Sequence, residues 1–155
     1  MNKFILPLFI LLACGIFSGC SKSKYVTTPN PYMNVTIGPY SFNTNTVYPS
    51  TITQSNNDTS ITLFINGQQL DTKERIILSI THYTGKAGIF SIAAKQAGAS
   101  YIHATGTSIA IGGIVAITKF TDDSIIGYFN FDTGDGIVMT SGTFTVPIPF
   151  YVAHP

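Results

Sequence analysis

Glutamate occurs once in the 155 residues, at Glu74, tryptophan not at all, and cysteine only twice, at Cys14 and Cys20. Each shortage removes a class of chemistry. A glycosidase built on paired glutamates has no second partner here and would have to rely on aspartates. Two cysteines close to the N-terminus cannot frame a disulfide-stapled domain, which carries even sets along the fold. Charged residues make up 10% of the chain, with a net charge of +1, too little for the basic stripe of a nucleic-acid binder. Hydrophobic residues reach 45%, too many for a disordered chain. The three histidines, His82, His103 and His154, are too scattered for metal-ligand spacing. There is no G-x-S-x-G elbow, H-E-x-x-H pair or glycine-rich phosphate loop. This inventory leads us to expect no cofactor and no enzymatic activity.

What is present begins with a leader. Lys3 is followed by a continuous apolar run from Phe4 to Phe17, interrupted by Pro7. A membrane-spanning helix needs about 20 apolar residues. The shorter run fits the hydrophobic region of a secretory signal. At its end stands Phe17-Ser18-Gly19-Cys20, small residues before a cysteine. This resembles the lipobox of bacterial lipoproteins, with Phe17 where leucine is usual. The resemblance implies a diacylglycerol on the Cys20 sulfur and cleavage before Cys20. Leu11-Leu12-Ala13-Cys14 is the alternative, with Cys14 as the acylated residue. It is a closer literal match, but it would strand Gly15-Ile16-Phe17 in the mature tether. Acyl chains contribute about 0.8 kcal/mol per buried CH₂, so two or three anchor durably. By the same resemblance, Ser21 in place of aspartate favours the outer membrane. The absence of an acidic stretch after it favours a periplasm-facing domain over a surface-exposed one. Ser21 to Pro31 is polar, carries two prolines and reads as a tether of about 35 Å when extended.

Beyond residue 19 the chain has 18 isoleucines and 20 threonines against three leucines. β-branched residues suit pleated, half-buried strands, whereas leucine and glutamate favour helices. A helix has room only near Ala93 to Ala97, which is too short to be stable alone. Alternation and turn residues predict strands over Met33–Ile37, Tyr40–Phe42, Val47–Thr53 and Ser60–Ile65. Pro49 marks an edge or bulge, Ser55 to Asp58 a turn, and Asn66-Gly67 a hairpin. Further strands are predicted over Arg75–Tyr83, Ile89–Ala93, Tyr101–Ala104, Thr107–Ile111 and Gly113–Phe120. The last ones cover Ile125–Phe131, Ile137–Thr140 and Gly142–Ile148. About nine or ten short strands separated by regular turns indicate an all-β domain, an antiparallel sandwich or small barrel. The organisation expected is a signal peptide over 1–19, an acylated tether over 20–32, the β-domain over 33–150 and a tail over 151–155.

The lipobox stands with Met33-Asn34-Val35-Thr36-Ile37 and the segment from Tyr83-Thr84-Gly85 to Ile92. Gly113 to Phe120, Ile126-Gly127-Tyr128-Phe129-Asn130-Phe131 and Ser141-Gly142-Thr143-Phe144-Thr145-Val146 follow. Together they resemble a family of small Bacteroidetes lipoproteins of unknown function, over residues 33 to 148. The chain departs from that family in having Gly38-Pro39, not Asn-Gly, after the first strand. The resemblance implies a location and an all-β fold, and it brings no catalytic residues. Asp123-Ser124-Ile125 is similar to the O-glycosylation acceptor of such bacteria, which makes Ser124 a candidate modification site.

Asp132-Thr133-Gly134-Asp135-Gly136 is the densest acidic loop. Asp132 and Asp135 could offer oxygens to Ca²⁺, but the loop lacks a third acid and a distal glutamate, and hairpin chemistry accounts for the same residues. His82 and His103 both fall on predicted strands and could face each other across a sheet. Tyr25, Tyr32, Tyr40, Tyr48, Tyr101, Tyr128 and Tyr151 are candidates for partly solvent-facing rings. Three readings remain. A lipid-anchored domain binding an envelope protein, glycan or small ligand requires a concave tyrosine-lined face. A purely structural lipoprotein requires a flat polar surface. A hydrolase requires a histidine within reach of an aspartate and a serine in a cleft.

Overall fold

The computed structural model describes residues 29–52, 61–121 and 123–148. The leader, Cys14 and Cys20, most of the tether, the Ser55 to Asp58 turn, Asp122 and the tail with His154 lie outside them. The described chain is all β, in ten strands. These are β1 (Tyr32–Ile37), β2 (Tyr40–Thr44), β3 (Val47–Ile52), β4 (Ile61–Gln68) and β5 (Arg75–Tyr83). They continue with β6 (Gly88–Ser91), β7 (Ala97–His103), β8 (Gly106–Phe120), β9 (Ser124–Thr133) and β10 (Val138–Pro147). Among the described residues no helix is long and apolar enough to cross a membrane.

All pairings are antiparallel, in the order β2-β1-β10-β9-β8-β7-β5-β4-β3, with β6 beside β8. The last strand returns to the first, Phe144 opposite Met33. Strands β2 and β3, the two ends of this order, are separated only by Asn45 and Thr46. The sheet is therefore a nearly closed barrel. Two long strands turn its corners. One is the β2–β3 segment, whose first part pairs β1 and whose second part pairs β4. The other is β8, which carries β7 and then β6 along one edge and β9 along the other. At the bend of β8, Gly113 has φ +113°, and a Cβ there would strike the Asn130 carbonyl. Only glycine allows that approach.

Period-two alternation fills the interior. Ile76, Leu78 and Ile80 of β5 point inward, as do Ile125, Phe129 and Phe131 of β9. Phe129 stacks on Phe131 with ring centroids 6.0 Å apart and on Phe144 at 6.3 Å. With Met33, Phe42 and Met139 these rings occupy the centre. The barrel is thus packed through its middle, and a concave space lies at one end.

Three local expectations are corrected. Asn66-Gly67 is not a hairpin: β4 runs through it to Gln68, and both residues pair with β3 and β5. A Cβ at Gly67 would meet the buried Met33 side chain, which would have to shift. The chain reverses instead over residues 69–74, where Lys73 has φ +62°. The strand predicted over Ile89–Ala93 stops at Ser91, and the chain turns over residues 92–95, with Lys95 at φ +59°. The two strands predicted at Thr107–Ile111 and Gly113–Phe120 are one, bent at Gly112-Gly113.

Candidate functional site

Four loops meet at one end of the barrel: Gly38-Pro39, residues 69–74, Ala104-Thr105 and residues 134–137. This end is the mouth. The chain enters at Tyr32 and leaves at Ile148 at the opposite end, the base. A cleft of about 860 Å³ opens at the mouth. Tyr40 and Val138 form its exposed rim, and Tyr40 is 74% exposed. Tyr101, His103 and Glu74 lie deeper in it. Among the described residues its lining includes no lysine or arginine.

Tyr101 was expected to face solvent partly, but it sits on the inner side of β7 with Ala97 and Ala99 and is 7% exposed. Burial first, and then the hydrogen bond to and charge of Glu74, push its phenol up to about 12. Its ring stacks on His103 at 5.0 Å. The imidazole is held at both nitrogens. Nε2 lies 3.0 Å from Ser108 Oγ, and Nδ1 lies 2.9 Å from Thr105 Oγ1. Ser108 donates to Asp135 Oδ2 at 2.5 Å, and Thr133 donates to Asp135 Oδ1 at 2.5 Å. Since the one Ser108 proton goes to Asp135, Nε2 of His103 must be the donor into Ser108. Hydrogen bonds from Ser108 and then Thr133 hold the Asp135 carboxyl below the usual carboxylate range.

A histidine, a serine and an aspartate are therefore brought together, but in the wrong order for nucleophilic catalysis. A triad places the imidazole between hydroxyl and carboxylate so that it can accept the hydroxyl proton. Here the serine is in the middle and is 2% exposed. The chain of bonds works as a latch. It ties the β7–β8 hairpin to the β9–β10 turn, and the two supply adjacent walls of the cleft.

The other sequence candidates are separated. His82 sits near the base end of β5 and His103 at the mouth end of β7, so they do not face each other. His82 has φ +54° in the bulge where Thr62 opposes two residues of β5. Asp132 is exposed on the outer face over Gly112, whereas both oxygens of Asp135 are taken by hydroxyls. Among the described residues no group of three acidic, histidine or cysteine side chains could hold a metal. Ser124 is buried at 2% exposure and bonded to Asp123 and Thr121, which counts against modification in the folded domain. Hydrogen bonds from Thr121 and then Ser124 lower the Asp123 carboxyl.

Sequence reasoning missed Ser108, Thr105 and Thr133. A Thr-x-Asp signal was there twice, at Thr121–Asp123 and Thr133–Asp135, and both close turns through the threonine hydroxyl. Nothing local marked Ser108, which lies 27 residues from Asp135. Compared with protein-family models, with curated proteins and with solved structures, the chain gives no match in any of the three.

Proposed function

We propose that this is a lipid-anchored envelope protein whose β-domain binds a ligand non-catalytically in the mouth cleft. The observation that carries this reading is the concave, tyrosine-bearing cleft at the end of the barrel opposite the chain's entry at Tyr32. A tether leading back from Tyr32 to an acylated Cys20 would hold the base toward the lipid and turn the cleft away from it. A site with an apolar lining and a few convergent polar groups is the usual form of a small-ligand pocket. The latch order of His103, Ser108 and Asp135 supports binding over hydrolysis.

Two measurements test the reading. Cys20→Ala should abolish incorporation of labelled palmitate and release the protein from membranes; retained labelling would make Cys14 the anchor. The full-length acylated protein in micelles should be screened against chemically diverse small molecules by amide NMR. Movement of the Tyr40, Tyr101 and Val138 resonances is expected. A screen that leaves all three still overturns the binding reading.

A further inference from the structure

We infer that the mouth cleft takes a neutral saccharide, stacked on Tyr40 and hydrogen-bonded through its hydroxyls to Asp71 and Glu74. The inference rests on the binding reading above and names the ligand class for that same cleft. Gln69 is spent at both ends: its Nε2 donates to Asn43 O at 3.1 Å, and its Oε1 accepts from Thr72 at 2.9 Å. Both His103 nitrogens are used by Ser108 and Thr105. Glu74 accepts from the Tyr101 phenol and keeps further lone pairs for a ligand, and the Asp71 carboxylate stands at the rim. Ionised carboxylates accept and do not donate, so a ligand bound to these two must bring donors to them.

The charge of the cleft narrows the class. Among the described residues two carboxylates and no lysine or arginine line it, so phosphate, sulfate and fatty-acid headgroups are repelled. Donors can be hydroxyls or ammonium groups. Asp71 is exposed and Tyr40 stands mostly in water, so an ammonium group would be screened and gain little from either. A pyranose gains from both parts of the cleft. Its C–H face covers the exposed Tyr40 ring beside Ile37 and Val138, and its hydroxyl edge reaches the acceptors. A cavity of about 860 Å³ suits a short oligosaccharide and is too small for a protein surface.

The test is titration of the full-length acylated protein in micelles with maltotriose, chitotriose and mannotriose. Spermidine and a sulfated disaccharide serve as charged probes. At least one neutral trisaccharide should shift the Tyr40, Thr72, Glu74 and Val138 amides, with an affinity insensitive to NaCl. Tyr40→Ala should weaken it by about tenfold or more. Tyr40 is largely exposed, so this variant will fold, and an unchanged thermal midpoint checks it. If spermidine alone moves the cleft and high salt abolishes the effect, the ligand is cationic; the saccharide class falls and the binding reading stands. If the three saccharides leave the cleft still while uncharged non-sugar compounds move it, the saccharide class also falls. A still cleft against every compound overturns both.

Discussion

Ser108 donates its hydroxyl proton to Asp135 at 2.5 Å, and this bond ties together two hairpins that share the cleft wall. The acceptor must be ionised, so the latch is an acid-sensitive element. The Asp135 and Asp123 carboxyls are both held low by hydroxyl donors. A carboxyl with a depressed folded-state pKa contributes stability above its unfolded value, near 3.9, and loses it as pH falls through the folded value. The thermal midpoint should therefore be level above about pH 5 and fall below about pH 4. Asp135→Asn should lower the midpoint at neutral pH and make the acid fall shallower. An unchanged acid limb in that variant would remove Asp135 from this role.

Gly127 and Phe144 are register partners on β9 and β10, and the Phe144 ring lies over the glycine. A Cβ at Gly127 would meet both that ring and the Ala116 carbonyl. Gly127→Ala should destabilise the domain by more than the 1–3 kcal/mol typical of overpacking, because backbone as well as side chain blocks it, by an estimate of about 3 kcal/mol or more. Phe144→Ala should cost about 3–5 kcal/mol by leaving a cavity against Phe129. Chemical denaturation gives both values, and a Gly127→Ala loss below about 1 kcal/mol would refute the close-approach argument.

Tyr83 presents the opposite case. Its ring packs edge-on to Phe90 and tilted against Phe120, each at 6.0 Å. Its buried hydroxyl has no hydrogen-bond partner among the described residues. Leaving such a group buried and unsatisfied costs about 1–3 kcal/mol. Tyr83→Phe should therefore raise the midpoint or leave it unchanged. A clear fall would reveal a partner for the hydroxyl.

Alkaline titration gives a fourth check. Burial pushes the Tyr83 phenol up to about 12, and burial with Glu74 does the same for Tyr101. A tyrosine kept neutral in the fold contributes stability that is complete below its unfolded value near 10 and lost as pH rises through the folded value. Ultraviolet absorbance should show two tyrosines ionising only toward about 12. Unfolding should begin in the same interval. Tyr101→Phe should remove one lagging unit, and a spectrum in which all ionise together would contradict the burial of both.

The β class, the tandem of short strands and most inward faces were legible in the chain. Isoleucine and threonine outnumber leucine, and alternation such as Ile76, Leu78, Ile80 is a local property of a strand. Asn66-Gly67 shows where local reading ends. The dipeptide favours a turn by itself, yet ladder pairing with Val47 and Tyr48 of β3 on one side and Ile76 and Ile77 of β5 on the other keeps β4 extended through it. The candidate site was less legible than the fold. Its tyrosines and Asp135 were visible as types, but Tyr101 was placed outside, Glu74 was noticed only for its rarity, and Ser108 carried no mark.

The sequence by itself determined strands, turns and inner faces, because side-chain period and backbone preference act over a few residues. Tertiary structure decided which loops share the mouth and where β8 bends. It also set the latch order, with Ser108 between His103 and Asp135. Those outcomes depend on register between strands far apart in sequence, where a one-residue slip would turn every side chain to the other face.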